Sequence, residues 1–398
     1  MKLLEEQQKQ TYNMGIGKKD KGEEPEEESN NEKTPQNNFE DLKNDVDAGL
    51  AGKNKGIPMG FDRLNHYIGL RKKMYFLIGG LTGSGKTSFI DDAFVLNPVS
   101  WCNSDKNTKN QKIHIIYRSM ERSRNYKLGK WVARKIFLDT GRIIPLGKLL
   151  GWTGKLSDDD YKLFLSYKDY INDLSKMVHI IDGTENPIGI STQLREHALE
   201  NGTIETIDKF HKKYIPNDPS LLTIVVIDHI GLLKPTKDYP TKKERIDKMS
   251  DELRHARDFY GFTPVVVSQF NRQIGNINRL RNGDVEPQLE DFKDSAQTQE
   301  DADVVLSLFD PVRYKVECPA GYDLDKLKDE YGAKYYRSMR INKNSYGEDD
   351  VRIGLGFLGH VGIFKELPKR REMTDEIYDK VVDKSFFINK DDKYGSDY

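Results

Sequence analysis

Eight residues constrain this chain more than any others: Gly80-Leu-Thr-Gly-Ser-Gly-Lys-Thr87, which follow the apolar run MYFLIG at 74–79 and lead into the helical pattern TSFIDDAFVL. A run with no polar alternation suits a strand buried on both faces, as in a parallel sheet covered by helices. The glycines then let the backbone turn sharply from strand to helix. Further runs of the same kind occur at 113–117 (IHIIY), 178–181 (VHII), 223–227 (TIVVI), 264–268 (PVVVS) and 304–309 (VVLSLF), separated by helical patterns. The fold class is therefore α/β, with a mostly parallel central sheet flanked by helices. Tyr336 to Ile341, Val351 to Phe357 and Val361 to Phe364, with turn signals at Gly347 and Gly359, predict a C-terminal β-hairpin extension along one sheet edge.

The eight residues satisfy GxxxxGK[ST] in the strand–loop–helix context that motif requires. In such a loop the backbone N–H groups of Gly80, Leu81, Thr82, Gly83, Ser84 and Gly85 turn inward on phosphate oxygens at a helix N-terminus. Lys86 neutralises the outer phosphates and the Thr87 hydroxyl holds Mg²⁺. The implied ligands are ATP and Mg²⁺. A second carboxylate is needed for the metal, and Asp228, ending TIVVID, sits where open α/β sheets place ligands; an ordinary strand-end cap is the other reading. Glu121, after IHIIY, is the expected general base. Asp91 and Asp92 have the same chemistry but lie on the helix after the loop, and are expected to point away. Gln269, ending PVVVSQ, is a neutral amide suited to sensing a terminal phosphate, or simply a satisfied strand-end amide.

Charge decides less. Lys+Arg 63 against Asp+Glu 64 leaves no global field toward a polyanion, so nucleic acid would have to meet a local patch. Lys234, Lys237, Lys242 and Lys243 follow Asp228, and Arg272, Arg279 and Arg281 follow Gln269. Lining a pore, such loops would track a phosphate backbone; as solvated surface they would do nothing. Cys102 and Cys318 lack metal-ligand spacing. With no apolar leader and no long uncharged apolar run, the reading is a soluble, cytoplasmic protein without a membrane partner. Residues 1–38 read as a disordered acidic tail and 39–55 as a linker helix with Phe39, Leu42, Val46 and Leu50 on one stripe. That stripe suits its own domain or a neighbouring subunit equally. Residues 56–370 form the main domain, and 371–398 a polar C-terminal tail, with one possible helix and then a Lys/Asp/Tyr run without periodicity, expected to fray.

The order of these strings resembles the C-terminal, RecA-like P-loop NTPase domain of the DnaB family of ring-shaped replicative helicases, especially its phage-encoded members. Gly56-Ile-Pro-Met-Gly-Phe-Asp-Arg-Leu looks like its opening motif, Gly80 to Thr87 its Walker A, and Ser119-Met-Glu121-Arg-Ser its glutamate motif. Asp228-His-Ile-Gly-Leu looks like Walker B, Val266-Val-Ser-Gln269-Phe-Asn-Arg272 the sensor, and Asp291 to Asp303 the DNA-contacting segment. The resemblance implies ATP-driven translocation on single-stranded DNA in 5'-3' direction, a homo-oligomeric, hexameric ring, a primase or loader partner, and DNA contacts at Arg272, Arg279, Arg281 and Lys293. A RecA-fold DNA-binding ATPase that does not unwind is the alternative. The family's last motif pairs a lysine with an arginine finger two residues on. Here Lys343 keeps the catalytic lysine while Ser345 occupies the finger position, and Arg340, by simple strand alternation, faces the other way. The family's N-terminal collar or primase domain is replaced by the acidic tail, and 97–111 reads as an insertion.

Overall fold

The computed structural model describes residues 38–52, 54–271, 279, 286–292, 296–315, 317–318, 320–332 and 334–388. The chain divides into two compact units, Met1–Asn54 and Lys55–Tyr398. In the first, the helix Asn38–Leu50 carries Phe39, Leu42, Val46 and Leu50, all exposed. A Lys43–Asp47 pair one turn apart braces it, and the Asn54 amide donates to Asp45 O at 2.9 Å.

The second unit is built on a nine-stranded sheet in the order β11-β10-β9-β8-β1-β7-β6-β2-β3. The strands are β1 (Phe76–Gly80), β2 (Lys112–Ser119), β3 (Val178–Asp182), β6 (Leu221–Asp228), β7 (Thr263–Val267) and β8 (Val304–Phe309), all parallel where they pair. Antiparallel β9 (Tyr336–Asn344), β10 (Val351–Leu358) and β11 (Ile363–Glu366) extend the edge beside β8. A separate hairpin pairs β4 (Gly202–Thr206) with β5 (Lys212–Pro216). The unbroken apolar runs have their expected cause: alternate residues serve two cores. Phe76, Ile78, Ile115, Tyr117, Val226 and Leu306 join one with Phe89, Phe94 and Trp131 from the helices Lys86–Ile90, Asp91–Leu96 (a π-helical continuation) and Arg124–Thr140. Leu77, Ile116, Val225, Val266 and Val305 join the other with Leu194 and Met249 from Pro187–Glu200 and Lys242–His255.

Two stretches gain detail and one expectation changes. The stretch 97–111, read as an insertion, is packed: the helix Asn97–Cys102 buries Pro98 and Val99, and the Asn107 side chain ties its turn to Cys102 O, Gln111 O and Gln111 N. After 371 the one helix expected is Asp375–Val382, and a second, Ser385–Ile388, follows it with Phe386 and Phe387 buried against Leu358 and Ile363; the end of the polar run, 389–398, lies outside the described residues. In β9 the register slips between Val305 and Leu306 of β8, so Lys343 pairs with Val305 while Arg340 pairs with Ser307. Residues two apart on β8 share a face, and so do their partners. Arg340 and Lys343 therefore lie on the same face, and the alternation argument fails at the bulge.

Candidate active site

Phosphate-loop, Glu121, Asp228 and Gln269 positions all lie at the carboxyl ends of parallel strands, because β7 and β6 fill the space between β1 and β2. The loop leaves β1 and enters the helix Lys86–Ile90 through Gly85, whose φ of 96° is left-handed. A Cβ on Gly80 would stand 2.5 Å from Ser84 Oγ, and one on Gly85 2.7 Å from Phe364 Cζ, so both positions require glycine. The Lys86 ammonium donates to Gly80 O at 2.6 Å and Leu81 O at 3.1 Å. The buried Ser84 hydroxyl has no hydrogen-bond partner among the described residues. On the loop's outer side the Arg313 guanidinium donates to Thr82 O, and the buried Arg337 donates to Ser84 O at 3.2 Å.

Thr87 Oγ1 donates to Asp228 Oδ2 at 3.1 Å. A hydroxyl and a buried carboxylate meeting beside a phosphate loop are the hard oxygen donors that Mg²⁺ takes, so the residues present fit the ion the motif implies. Ser119 ends β2 opposite Asp228, and Met120 N donates to Asp228 O at 2.8 Å, so the backbone leading into Glu121 is tied to the end of β6. Glu121 is half exposed, with Arg122 3.7 Å away. Ser119 Oγ donates to Arg122 O at 2.6 Å, and the helix Arg124–Thr140 starts at once, capped by Ser123 and by Asp182, which accepts from Arg124 N at 2.9 Å. One strand across, Ser268 N donates to Ile78 O at 2.9 Å and Gln269 Nε2 lies 3.3 Å from His229 Nε2.

Behind Asp228 lies a set that sequence reasoning missed. Asp91 and Asp92 are both buried, at 3% and 0% exposure; Asp91 does not point away but joins Asp228 through shared partners, whereas Asp92 turns to Arg134 and Phe364. Lys127, wholly buried, donates to Asp91 Oδ1 at 3.0 Å and to Asp228 Oδ2 at 3.3 Å, and contacts the Tyr117 phenol. Tyr117 OH lies 3.0 Å from both carboxylates. Burial, then the Asp228 and Asp91 charges, hold the Tyr117 phenol well above its usual range. Asp92 accepts from Phe364 N at 2.7 Å and pairs with Arg134 at 2.7 Å, and burial pushes its carboxyl up to about 6. The available signal was two adjacent aspartates on an otherwise apolar helix.

The other expected residues divide. Arg272, Arg281 and Lys293 lie outside the described residues. Arg279 is held by the Asp291 carboxylate and Glu286 O, so here it braces the base of its segment. Phe270 and Phe292 close that base, bridged to each other with rings 4.9 Å apart, and both pack over Gly79 of β1. Lys343 stands across from Val305 at the start of β8, whereas the phosphate loop follows the end of β1 beside Leu308. Its ammonium donates to Gln299 O and Glu300 O at 3.0 and 3.1 Å. Within one chain Lys343 does not reach the loop. Arg340 is engaged by Asp350 and Glu286, and Ser345 is exposed.

A profile of the DnaB-like helicase C terminal domain matches residues 56–366, from the bridge of Ile57 with Leu70 to the end of β11. The chain belongs to that family. Similar DnaB-like proteins include the replicative DNA helicase DnaB of Helicobacter pylori (strain ATCC 700392 / 26695), 26% identical over 277 residues covering 69% of this chain and 48% of that one. A probable replicative DNA helicase of Trieres chinensis is 23% identical over 258 residues, 64% of this chain and 47% of its own. The chain thus spans about half the length of these curated relatives. Among solved structures, an isolated ATPase domain aligns with a TM-score of 0.60 at 20% identity, covering 83% of this chain and 98% of that one. A DnaB-like replicative helicase described with its interactions with primase gives 0.60 at 21%, covering 84% and 68%. These likenesses establish the RecA-like DnaB ATPase fold. No helix of the described residues is long and apolar enough to cross a membrane.

Proposed function

We propose that this chain is an ATP-dependent DNA helicase of the DnaB type that translocates on single-stranded DNA during replication. The observation that carries the reading is the meeting of Thr87 with Asp228 at 3.1 Å beside the glycine loop, with Glu121 two residues beyond the end of β2, in a chain of this family. Gly80 to Gly85 bind the phosphates, and Lys86 leaves its loop carbonyls for the outer ones. Thr87 and Asp228 hold Mg²⁺, which when bound neutralises phosphate charge. Glu121 orients and deprotonates the attacking water. Gln269 senses the terminal phosphate and passes its presence to the segment closed by Phe270 and Phe292, where Arg272, Arg281 and Lys293 meet DNA.

Since Lys343 stands away from its own phosphate loop, it serves a neighbour's nucleotide, which makes the active form an oligomer, a hexameric ring by family likeness. The exposed stripe of Asn38–Leu50 docks on a neighbouring subunit in that ring, and a primase or loader contacts it in the cytoplasm, the host's where a phage encodes it. A second reading, a RecA-fold DNA-binding ATPase without unwinding, is favoured by one observation: Ser345 cannot supply the finger's charge. ATP hydrolysis and strand separation, measured with and without single-stranded DNA across protein concentration for wild type and Lys86→Ala, separate the two. Stimulated turnover with unwinding, both absent in Lys86→Ala, supports the helicase; stimulated turnover without unwinding leaves the second reading; turnover indifferent to DNA refutes both.

A further inference from the structure

We infer that Lys127 is a positioning residue for hydrolysis, tying the metal-side carboxylate Asp228 and the Glu121 segment to the phosphate-loop helix; the inference rests on the ATPase reading. A bare ammonium in a protein interior carries a desolvation penalty of several kcal/mol, so a wholly buried lysine sits where its partners define its place. Lys127 has three N–H donors and three oxygen partners: Asp91 Oδ1, Asp228 Oδ2 and the Tyr117 phenol. Its ammonium also lies 4.1 Å from the centre of the Tyr117 ring.

These partners come from different elements. Asp91 opens the π-helical continuation of the phosphate-loop helix, Tyr117 is in β2, Asp228 ends β6, and Lys127 is in the helix that begins just after Glu121. Between Glu121 and Lys127 the chain is braced by the Ser119 bond to Arg122 O, by the Ser123 cap and by Asp182 on Arg124 N, so a shift at Lys127 reaches Glu121 with little slack.

The charges explain why a cation is needed. Asp91 Oδ1 and Asp228 Oδ2 both lie 3.0 Å from one phenolic oxygen, which has a single proton to donate. Without the ammonium, nothing ties the Asp228 carboxylate to the helix Arg124–Thr140 that follows Glu121, whichever carboxylate takes that proton. Asp228 then turns away, and Thr87 loses the acceptor it holds at 3.1 Å. Asp91 Oδ2 has no hydrogen-bond partner among the described residues, so Asp91 is bound to this set through one oxygen, Oδ1, which holds Lys127 and the phenol.

The test compares full-length wild type, Lys127→Met, Asp91→Leu/Lys127→Met and Lys86→Ala. Thermal midpoint, affinity for a fluorescent ATP analogue with Mg²⁺, and kcat and KM for ATP hydrolysis are measured on each. Lys127→Met is expected to bind nucleotide within about threefold of wild type while kcat falls about 100-fold, the loss that a displacement of about 1 Å produces. The double variant replaces a buried ion pair by apolar groups, which preserves folding. It is expected to recover the wild-type midpoint while kcat stays low. Recovery of kcat together with the midpoint, or wild-type kcat in Lys127→Met, would overturn the inference and leave Lys127 a packing residue. Equal turnover by wild type and Lys86→Ala is a separate result, which refutes the ATPase reading itself.

Discussion

Replacing Gly79 by alanine tests whether the central strand and the proposed DNA segment are mechanically joined. The added Cβ would lie 2.3 Å from Phe270 Cε1 and 2.4 and 2.5 Å from Phe292 Cε1 and Cζ. Carbon atoms in contact rest at about 3.5 to 4.0 Å, so both rings must move by more than about 1 Å. They have no room, since Phe270 and Phe292 are 3% and 6% exposed. Overpacking of this kind costs about 1–3 kcal/mol. At about 2 °C per kcal/mol for a large unit, the melting midpoint falls by about 2–6 °C. The rings also close the base of the segment between them, where Asn271 N donates to Asp291 O at 2.6 Å. Stimulation of ATPase by single-stranded DNA should therefore fall further than basal turnover, and Phe292→Leu in the Gly79→Ala background should restore part of both. The control is Gly347→Ala, whose Cβ would meet only Asn344 Nδ2, at 3.4 Å. Unchanged midpoint and stimulation in Gly79→Ala, or an equal loss in the control, would refute the reasoning.

Glu121→Gln keeps the shape of the side chain and removes the base, so nucleotide affinity is expected to hold while kcat falls about 100- to 10,000-fold; single-turnover hydrolysis measures the chemical step directly. Ser345→Arg places a guanidinium two residues beyond Lys343, and a rise in ATPase that appears only at concentrations where the protein assembles would identify the position as an unoccupied finger. His114 stacks on His197 at 4.7 Å, and burial, with His197 and His179 nearby, pushes its imidazole down to about 4. Between the ordinary value of 6.5 and about 4 the unfolded chain takes up a proton that the folded one refuses. Stability is therefore complete above pH 6.5 and lost as pH falls through that window, by about 1–2 kcal/mol after allowing for partial exposure. Urea midpoints at pH 7.5 and 5 should show that loss in wild type and less of it in His114→Phe.

The sequence by itself determined the layered α/β architecture and the chemistry at the strand ends. Apolar runs without alternation can only be strands covered on both faces, and the residues that follow them, Gly80 to Thr87, Glu121, Asp228 and Gln269, emerge on one edge because parallel strands all end there. Tertiary structure decided what those residues lean on. Asp91, Tyr117, Lys127 and Asp228 look like four unrelated side chains along the chain, and the first of them looks like a surface charge; burial of the set depends on two helices and two strands closing over it. Periodicity reports which face of an element is apolar but not which distant face it meets. Nor does it report register: Arg340 and Lys343 share a face because β9 bulges against β8, and a bulge is fixed by the neighbouring strand. The same holds for Phe386 and Phe387, two aromatics in a polar stretch that become core only because β10 and β11 offer them a surface.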